Sequence, residues 1–197
     1  MIEDFKLRDD THETIRSCIR RKNFEWTEQF FLQVIEEPRN KMEVYWAILA
    51  LRKYGTERSI PVLKKLLHFP KQDVKACSIL TIAQIAGAAQ SETYAKALLD
   101  PKYPEKGYAL WAIHAAADER AIDAVAKYIK SNLSKIRRDK LSIGTYGMGV
   151  EYLLNNLSSS KEATELLKKL VQCKDPTSPA EETLFENIKA KLLAFSN

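Results

Sequence analysis

The sequence predicts an all-α protein, a right-handed α-solenoid built of about five helix pairs, and three observations carry that prediction. The stretches Thr56-Glu57-Arg58-Ser59-Ile60-Pro61-Val62-Leu63 and Asp118-Glu119-Arg120-Ala121-Ile122-Asp123-Ala124-Val125 are near copies 62 residues apart, with a degenerate copy about midway. Each follows an alanine-rich apolar stretch, Trp46 to Tyr54 in one case and Ala109 to Ala116 in the other, so the unit reads as helix, tight turn, helix. Apolar residues recur at helical spacing in every segment, with short Pro or Gly breaks between segments. Repetition at a fixed period of some tens of residues marks a solenoid, in which neighbours bury each other's apolar faces.

The elements follow in order. Asp10, with Glu13 three residues later, resembles a capping box and opens a first helix through Ile15, Ile19 and Arg20. A second runs from about Glu25 to Glu36 with Phe30, Phe31, Val34 and Ile35 on its apolar face, and Pro38 ends it. Lys41 to Tyr54 presents Ala47, Ala50, Leu51 and Tyr54, stopped by Gly55; Glu57 to Leu67 then buries Ile60, Leu63 and Leu67. Further pairs are Val74 to Ala86 with Ser91 to Leu99, and Lys106 to Ala116 with Glu119 to Leu133, the last buried through Ile122, Val125, Ala126 and Ile129. Ala109, Ala112 and Ala116 allow close helix approach. The final helices start at two capping boxes, Ser159 to Glu162 and Ser178 to Glu181, and Leu184, Ile188, Leu192 and Phe195 form the apolar stripe of the last one. Residues 1–197 are expected to form a single domain, interrupted by an insertion at 134–150 where the offset between copies grows by about ten residues. That insertion holds the basic run Lys135-Ile136-Arg137-Arg138-Asp139-Lys140 and half of the six glycines, in Gly144-Thr145-Tyr146-Gly147-Met148-Gly149.

Composition excludes several classes. At 45% hydrophobic and 29% charged residues the chain is an ordinary globular protein. The amino terminus lacks the pattern of a secretory signal, and the uncharged run Ala76 to Ser91 is too short and too polar to span a bilayer, so a cytoplasmic protein is expected. Cys18, Cys77 and Cys173 are scattered and read as buried structural thiols. His12, His68 and His114 are scattered too, so no metal site and no cofactor are expected. Net charge is +5, but residues 44–142 carry 17 Lys or Arg against 9 Asp or Glu, whereas both ends are slightly acidic. A basic middle points to an anionic partner, an acidic protein surface or a nucleic acid; the same lysines also serve as ordinary solvated helix surface.

Val74-Lys75, the Ile79-Leu80-Ile82-Ala83-Ile85 core and Gly87, with the Glu-Arg-Ser/Ala-Ile starts of the second helices, resemble the HEAT repeat in its short, phycobilisome-lyase-type form found in many bacterial proteins. The resemblance covers about Lys41 to Leu133, and the period near 31 is shorter than that of longer HEAT units. It implies that the second helix of each pair lines the concave side. That stripe comprises Arg58, Pro61, Lys65 and His68 in one copy, Arg120, Asp123, Lys127 and Lys130 in another, Thr93 and Lys96 in the weak copy, and Glu162, Glu165 and Lys169 in the next.

No catalytic constellation is present. The glycine cluster lacks a P-loop's Gly-Lys-Ser/Thr, there is no Gly-x-Ser-x-Gly elbow, and the carboxylate pairs Asp9-Asp10, Glu36-Glu37 and Glu181-Glu182 sit at helix ends, where dipole and capping effects account for them. The expected function is a non-catalytic protein-binding module, within that class an immunity or antitoxin-type inhibitor covering a cognate toxin. Its partner contacts are expected at Arg58, Lys65, Lys96, Arg120, Lys127, Lys130, Arg137, Arg138 and Tyr146. The alternative is a nucleic-acid-binding protein, or a glycosylase similar to the bacterial DNA-alkylation-repair enzymes, which use a HEAT-like scaffold with a basic face and tryptophans near the damaged base. Trp26, Trp46 and Trp111, however, fall within apolar helical stretches. Chromophore attachment rests on repeat type alone.

Overall fold

The computed structural model describes residues 24–38 and 40–195, so the helix expected after Asp10 lies outside the described residues, as do the side chains of Trp26 and Phe195. Among the described residues the chain is all-α, with ten α-helices, four 3-10 turns and no strand. The helices are α1 (Phe24–Glu36), α2 (Lys41–Tyr54), α3 (Ile60–Leu66), α4 (Gln72–Ala86), α5 (Ser91–Leu99), α6 (Lys106–Ala116), α7 (Ile122–Arg137), α8 (Ile143–Asn155), α9 (Lys161–Cys173) and α10 (Pro179–Phe195). They form two compact units: residues up to Gln90 with Lys102–Glu105, and Ser91–Pro101 with the residues from Lys106 onward.

In the first unit α1 packs on α2, α2 on α4 and α3 on α4. Phe30, Phe31, Val34 and Ile35 of α1 meet an interior made by Val44, Ala47, Ile48 and Leu51 of α2, Ile60 and Leu63 of α3, and Val74, Ile79 and Ile82 of α4. Asn40 caps α2, accepting from the backbone N–H of Met42 and Glu43. The second helix starts one turn later than expected, because Glu57–Ser59 forms a 3-10 turn capped by Thr56. Glu28, 3% exposed, holds that turn to α1: its carboxylate accepts from Thr56 N–H at 2.6 Å and from the Ser59 hydroxyl at 2.6 Å. Lys102–Glu105 joins this unit through buried Tyr103, whose hydroxyl donates to the Lys75 carbonyl.

Gly87 closes α4 at φ 48°, ψ −135°, a region essentially reserved for glycine. A Cβ there would meet nothing within 4 Å, so the constraint is purely conformational. Gly87→Ala is expected to lower stability by about 1–3 kcal/mol, measured by urea unfolding, with no change in helix content at 25 °C.

The second unit has two layers. In one, α5, α7 and α9 lie side by side; in the other, α6, α8 and α10 do, and the pairs α5–α6, α7–α8 and α9–α10 connect them. The Glu119–Ala121 turn before α7 repeats the Glu57–Ser59 turn, with Asp118 accepting from Arg120 N–H. Asp118 N–H in turn donates to the Ser91 hydroxyl at 3.0 Å, the role that Glu28 fills for Thr56. Ser160, not Ser159, caps α9, accepting from Ala163 N–H; Leu157–Ser159 is taken up by a 3-10 turn, which moves the cap one residue on. The Ser178–Glu181 cap forms as expected, Ser178 accepting from Glu181 N–H at 3.3 Å.

The extra residues around 134–150 are helical on both sides of a short connection. They lengthen α7 to 16 residues, against 7 in its counterpart α3, and Gly144, Gly147 and Gly149 lie inside α8. Glycine is a poor helix former, so its place in α8 has a packing reason. A Cβ on Gly149 would come within 3.0 Å of Leu110 Cδ2 and 3.3 Å of Val125 Cγ1, so its absence lets α8 approach α6 and α7.

Candidate interaction surface

The burial pattern places the outward stripe of the second helices at the residues named from the repeat register. Arg58, Pro61, Lys65 and His68 are exposed in the first unit; Lys96, Arg120, Asp123, Lys127 and Lys130 are exposed in the second. The two units hold separate parts of the set, Arg58 and Lys65 in one and the rest in the other. Arg120 is tied to Asp118 at 2.6 Å, and that hydrogen bond holds the Asp118 carboxyl down to about 2. Lys130 reaches across to Glu162 on α9 at 2.8 Å, and Lys96 lies 3.8 Å from Glu92. Lys65, Lys127 and Arg137 make no ion pair among the described residues.

The helical spacing of α7 puts Asp123, Lys127, Lys130, Ser134 and Arg137 along one exposed face. At its end Lys135, Arg137, Arg138 and Lys140 are all exposed, so four cations stand within six residues. Arg138 Nη2 donates to the Ser134 hydroxyl at 2.8 Å. The helix stops in a Schellman arrangement: Lys140 N–H donates to the Lys135 carbonyl at 2.8 Å, and Asp139 N–H to the Ile136 carbonyl at 3.0 Å. Asp139 takes the left-handed position, φ 55°, where glycine is the usual residue.

A buried polar network fixes that corner. Asp139 accepts from Lys174 Nζ at 2.7 Å and from the Thr177 hydroxyl at 3.1 Å. Lys174, 5% exposed, also pairs with Glu181 at 3.0 Å; Glu181, 4% exposed, accepts from Thr177 N–H at 2.8 Å and from the Tyr146 hydroxyl. Burial pushes the Glu181 carboxyl up, but the Tyr146, Thr177 and Lys174 hydrogen bonds outweigh it and hold the group down to about 2. Burial likewise pushes the Lys174 ammonium down, and its two carboxylates hold it above its ordinary value.

Tyr146 was expected on the contact surface, and the structure corrects this. Its side chain is fully buried, and burial together with the Glu181 carboxylate raises its pKa. The glycine cluster lies in the stretch read as an insertion, yet Tyr146, Val150 and Leu153 stand at helical spacing, a signal of an inward face. Trp111 departs from expectation in the other direction: it lies on α6 but is 45% exposed, one turn from Tyr108 at 44%. Trp46 is half-buried. Cys77 is buried and its thiol is pushed up by burial, whereas Cys173 is only half-buried. Among the described residues no group of three or more His, Cys, Asp or Glu could hold a metal ion, and no helix is long and apolar enough to cross a membrane.

Paired helices with capped 3-10 turns at equivalent places, stacked layer on layer within a unit, define an α-helical repeat protein. The particular repeat is HEAT-like: residues 44–69, which cover most of α2, the Glu57–Ser59 turn and α3, match the family model of the PBS lyase HEAT-like repeat. No curated protein matches the chain. A HEAT-like repeat is a helical protein-interaction module, built to present side chains along stacked helices.

Proposed function

We propose that the chain is a non-catalytic module that binds an acidic surface of a protein partner through the cationic face and corner of α7. The observation that carries this reading is the rigid presentation of charge: Arg137 and Arg138 end a helix whose stop is fixed by Asp139, Lys174 and Glu181. The backbone under both arginines is fixed and Arg138 is also held to Ser134, which lowers the ordering cost of binding, and arginine makes effective hot spots. Within this class, an immunity-type inhibitor that occludes a cognate toxin is the specific form we favour, because charged faces of this kind speed and select association.

The nucleic-acid reading is less well supported. Single-stranded nucleic acid needs cations and aromatic platforms on one groove. Here Tyr108 and Trp111 project from the α6 layer and the cationic face from the α7 layer of the same unit.

The test is Arg137→Ala with Arg138→Ala. Stability should change by less than about 0.5 kcal/mol, as for exposed surface positions. A protein retained by the wild type from nuclease-treated native lysate at moderate salt should bind at least tenfold more weakly, about 1.4 kcal/mol. Capture that disappears with nuclease, or binding to a single-stranded oligonucleotide that falls steeply with salt, would favour the nucleic-acid reading instead.

A further inference from the structure

The outward face of α6 differs in chemistry from the second-helix faces of its unit. After Lys106 at its first position, its exposed and half-exposed positions are Gly107, Tyr108, Trp111, His114, Ala115 and Ala116, none of them Lys, Arg, Asp or Glu, in a chain where 29% of residues are charged. The two rings stand one turn apart, each nearly half exposed. His114, one turn beyond Trp111, lies against α8, where the exposed carboxylate of Glu151 brings its Oε2 to 3.2 Å from His114 Nε2. That histidine is the neighbour of one carboxylate oxygen, and Oε1 makes no bond among the described residues.

Two lysines of this unit are engaged at helix ends. Lys106, at the start of α6, is committed to the carbonyls of Ala97 and Asp100 at the end of α5. Lys191 of α10 is committed to the Leu154 carbonyl and the Asn155 side chain at the end of α8. Among the described residues no cation lies over either ring and no Lys or Arg pairs with Glu151, on a protein whose net charge is +5.

We propose that the Tyr108–Trp111–Glu151 face is a second docking surface, for a basic segment of another protein, in which an arginine side chain lies on the rings and pairs with Glu151. Charge complementarity selects the occupant. The indole face attracts a guanidinium through its quadrupole, and arginine stacks there better than lysine because it is planar and weakly hydrated. A nucleic acid would bring phosphates against Glu151. An acidic protein, the partner proposed for α7, is disfavoured for the same reason. The two faces lie on opposite layers of one unit, so one partner on α7 leaves the α6 face open, and the module can join an acidic protein to a basic one.

The probe is fluorescein-labelled octa-arginine, titrated into the full chain at 0.15 M salt and followed by anisotropy, with circular dichroism to check folding. Trp111→Ala and Glu151→Gln are each expected to weaken binding about fivefold, equivalent to about 1 kcal/mol. The Arg137→Ala, Arg138→Ala double variant is expected to bind octa-arginine at least as well as the wild type, which separates this surface from the one on α7. Octa-arginine affinity unchanged in both Trp111→Ala and Glu151→Gln would overturn the proposal. So would a concentration-dependent dimer in sedimentation that Trp111→Ala dissolves, since the face would then belong to a second copy.

Discussion

Replacing Glu181 by alanine is expected to cost the second unit about 3–5 kcal/mol at pH 7, the effect of breaking a buried ion pair from one side. The loss leaves the Tyr146 hydroxyl and Thr177 N–H without their acceptor, and Lys174 with the Asp139 carboxylate and the Asp175 carbonyl. The pH dependence gives the claim its sign. The Glu181 carboxyl is held down to about 2 in the folded state against an ordinary 4.5. A depressed carboxyl contributes stability that is fully present above 4.5 and lost as pH falls toward 2, and a shift of this size corresponds to about 3 kcal/mol. Glu181→Gln keeps the shape and removes the titration, so urea unfolding should show the wild type losing its advantage over this variant between pH 4.5 and pH 2. A gap between the two that stays constant over that window would mean that the charge of Glu181 contributes nothing.

Gly149→Leu is expected to be the next most damaging substitution, at roughly 3 kcal/mol, the upper end of the range for overpacking. The first added carbon already meets Leu110, Val125 and Ile129 at 3.0, 3.3 and 3.4 Å, and a larger side chain must push α8 away from α6 and α7 together. Gly149→Ala separates the two effects of glycine. Alanine is the better helix former by about 1 kcal/mol, so any loss on going to alanine means the contact cost exceeds that gain, and the contact cost is the loss plus about 1 kcal/mol. The contrast with Gly87 is direct: there space is open and the backbone forbids the change, whereas at Gly149 the backbone is helical and the space is taken. A thermal melt in which Gly149→Leu matches the wild type would show that α8 does not need the close approach.

The sequence by itself determined the described helices apart from α8, which lies largely in the stretch read as an insertion, and which way most of their side chains face. The repeat of Thr56-Glu57-Arg58 in Asp118-Glu119-Arg120 placed two capped turns, Ser178 and Glu181 placed the start of α10, and the stripes from Ile60 to Leu67 and from Ile122 to Ile129 placed the outward lysines. These features are local: a cap spans three residues and a helical face repeats within a turn, so neighbours in the chain carry the whole signal. The turn at Glu57–Ser59 and the one-residue shift from Ser159 to Ser160 mark the resolution of that signal. Only the tertiary structure decided the rest. Tyr146 turns inward to Glu181 and Asp139 is held left-handed by Lys174, each partner 35 residues away. Trp111 faces solvent because α6 already fills its inner side with Ala109, Leu110, Ala112 and Ile113. The cationic and aromatic faces part company because α7 and α6 belong to different layers. A side chain's long-range partner is set by which helices pack together, and no spacing within one helix encodes that.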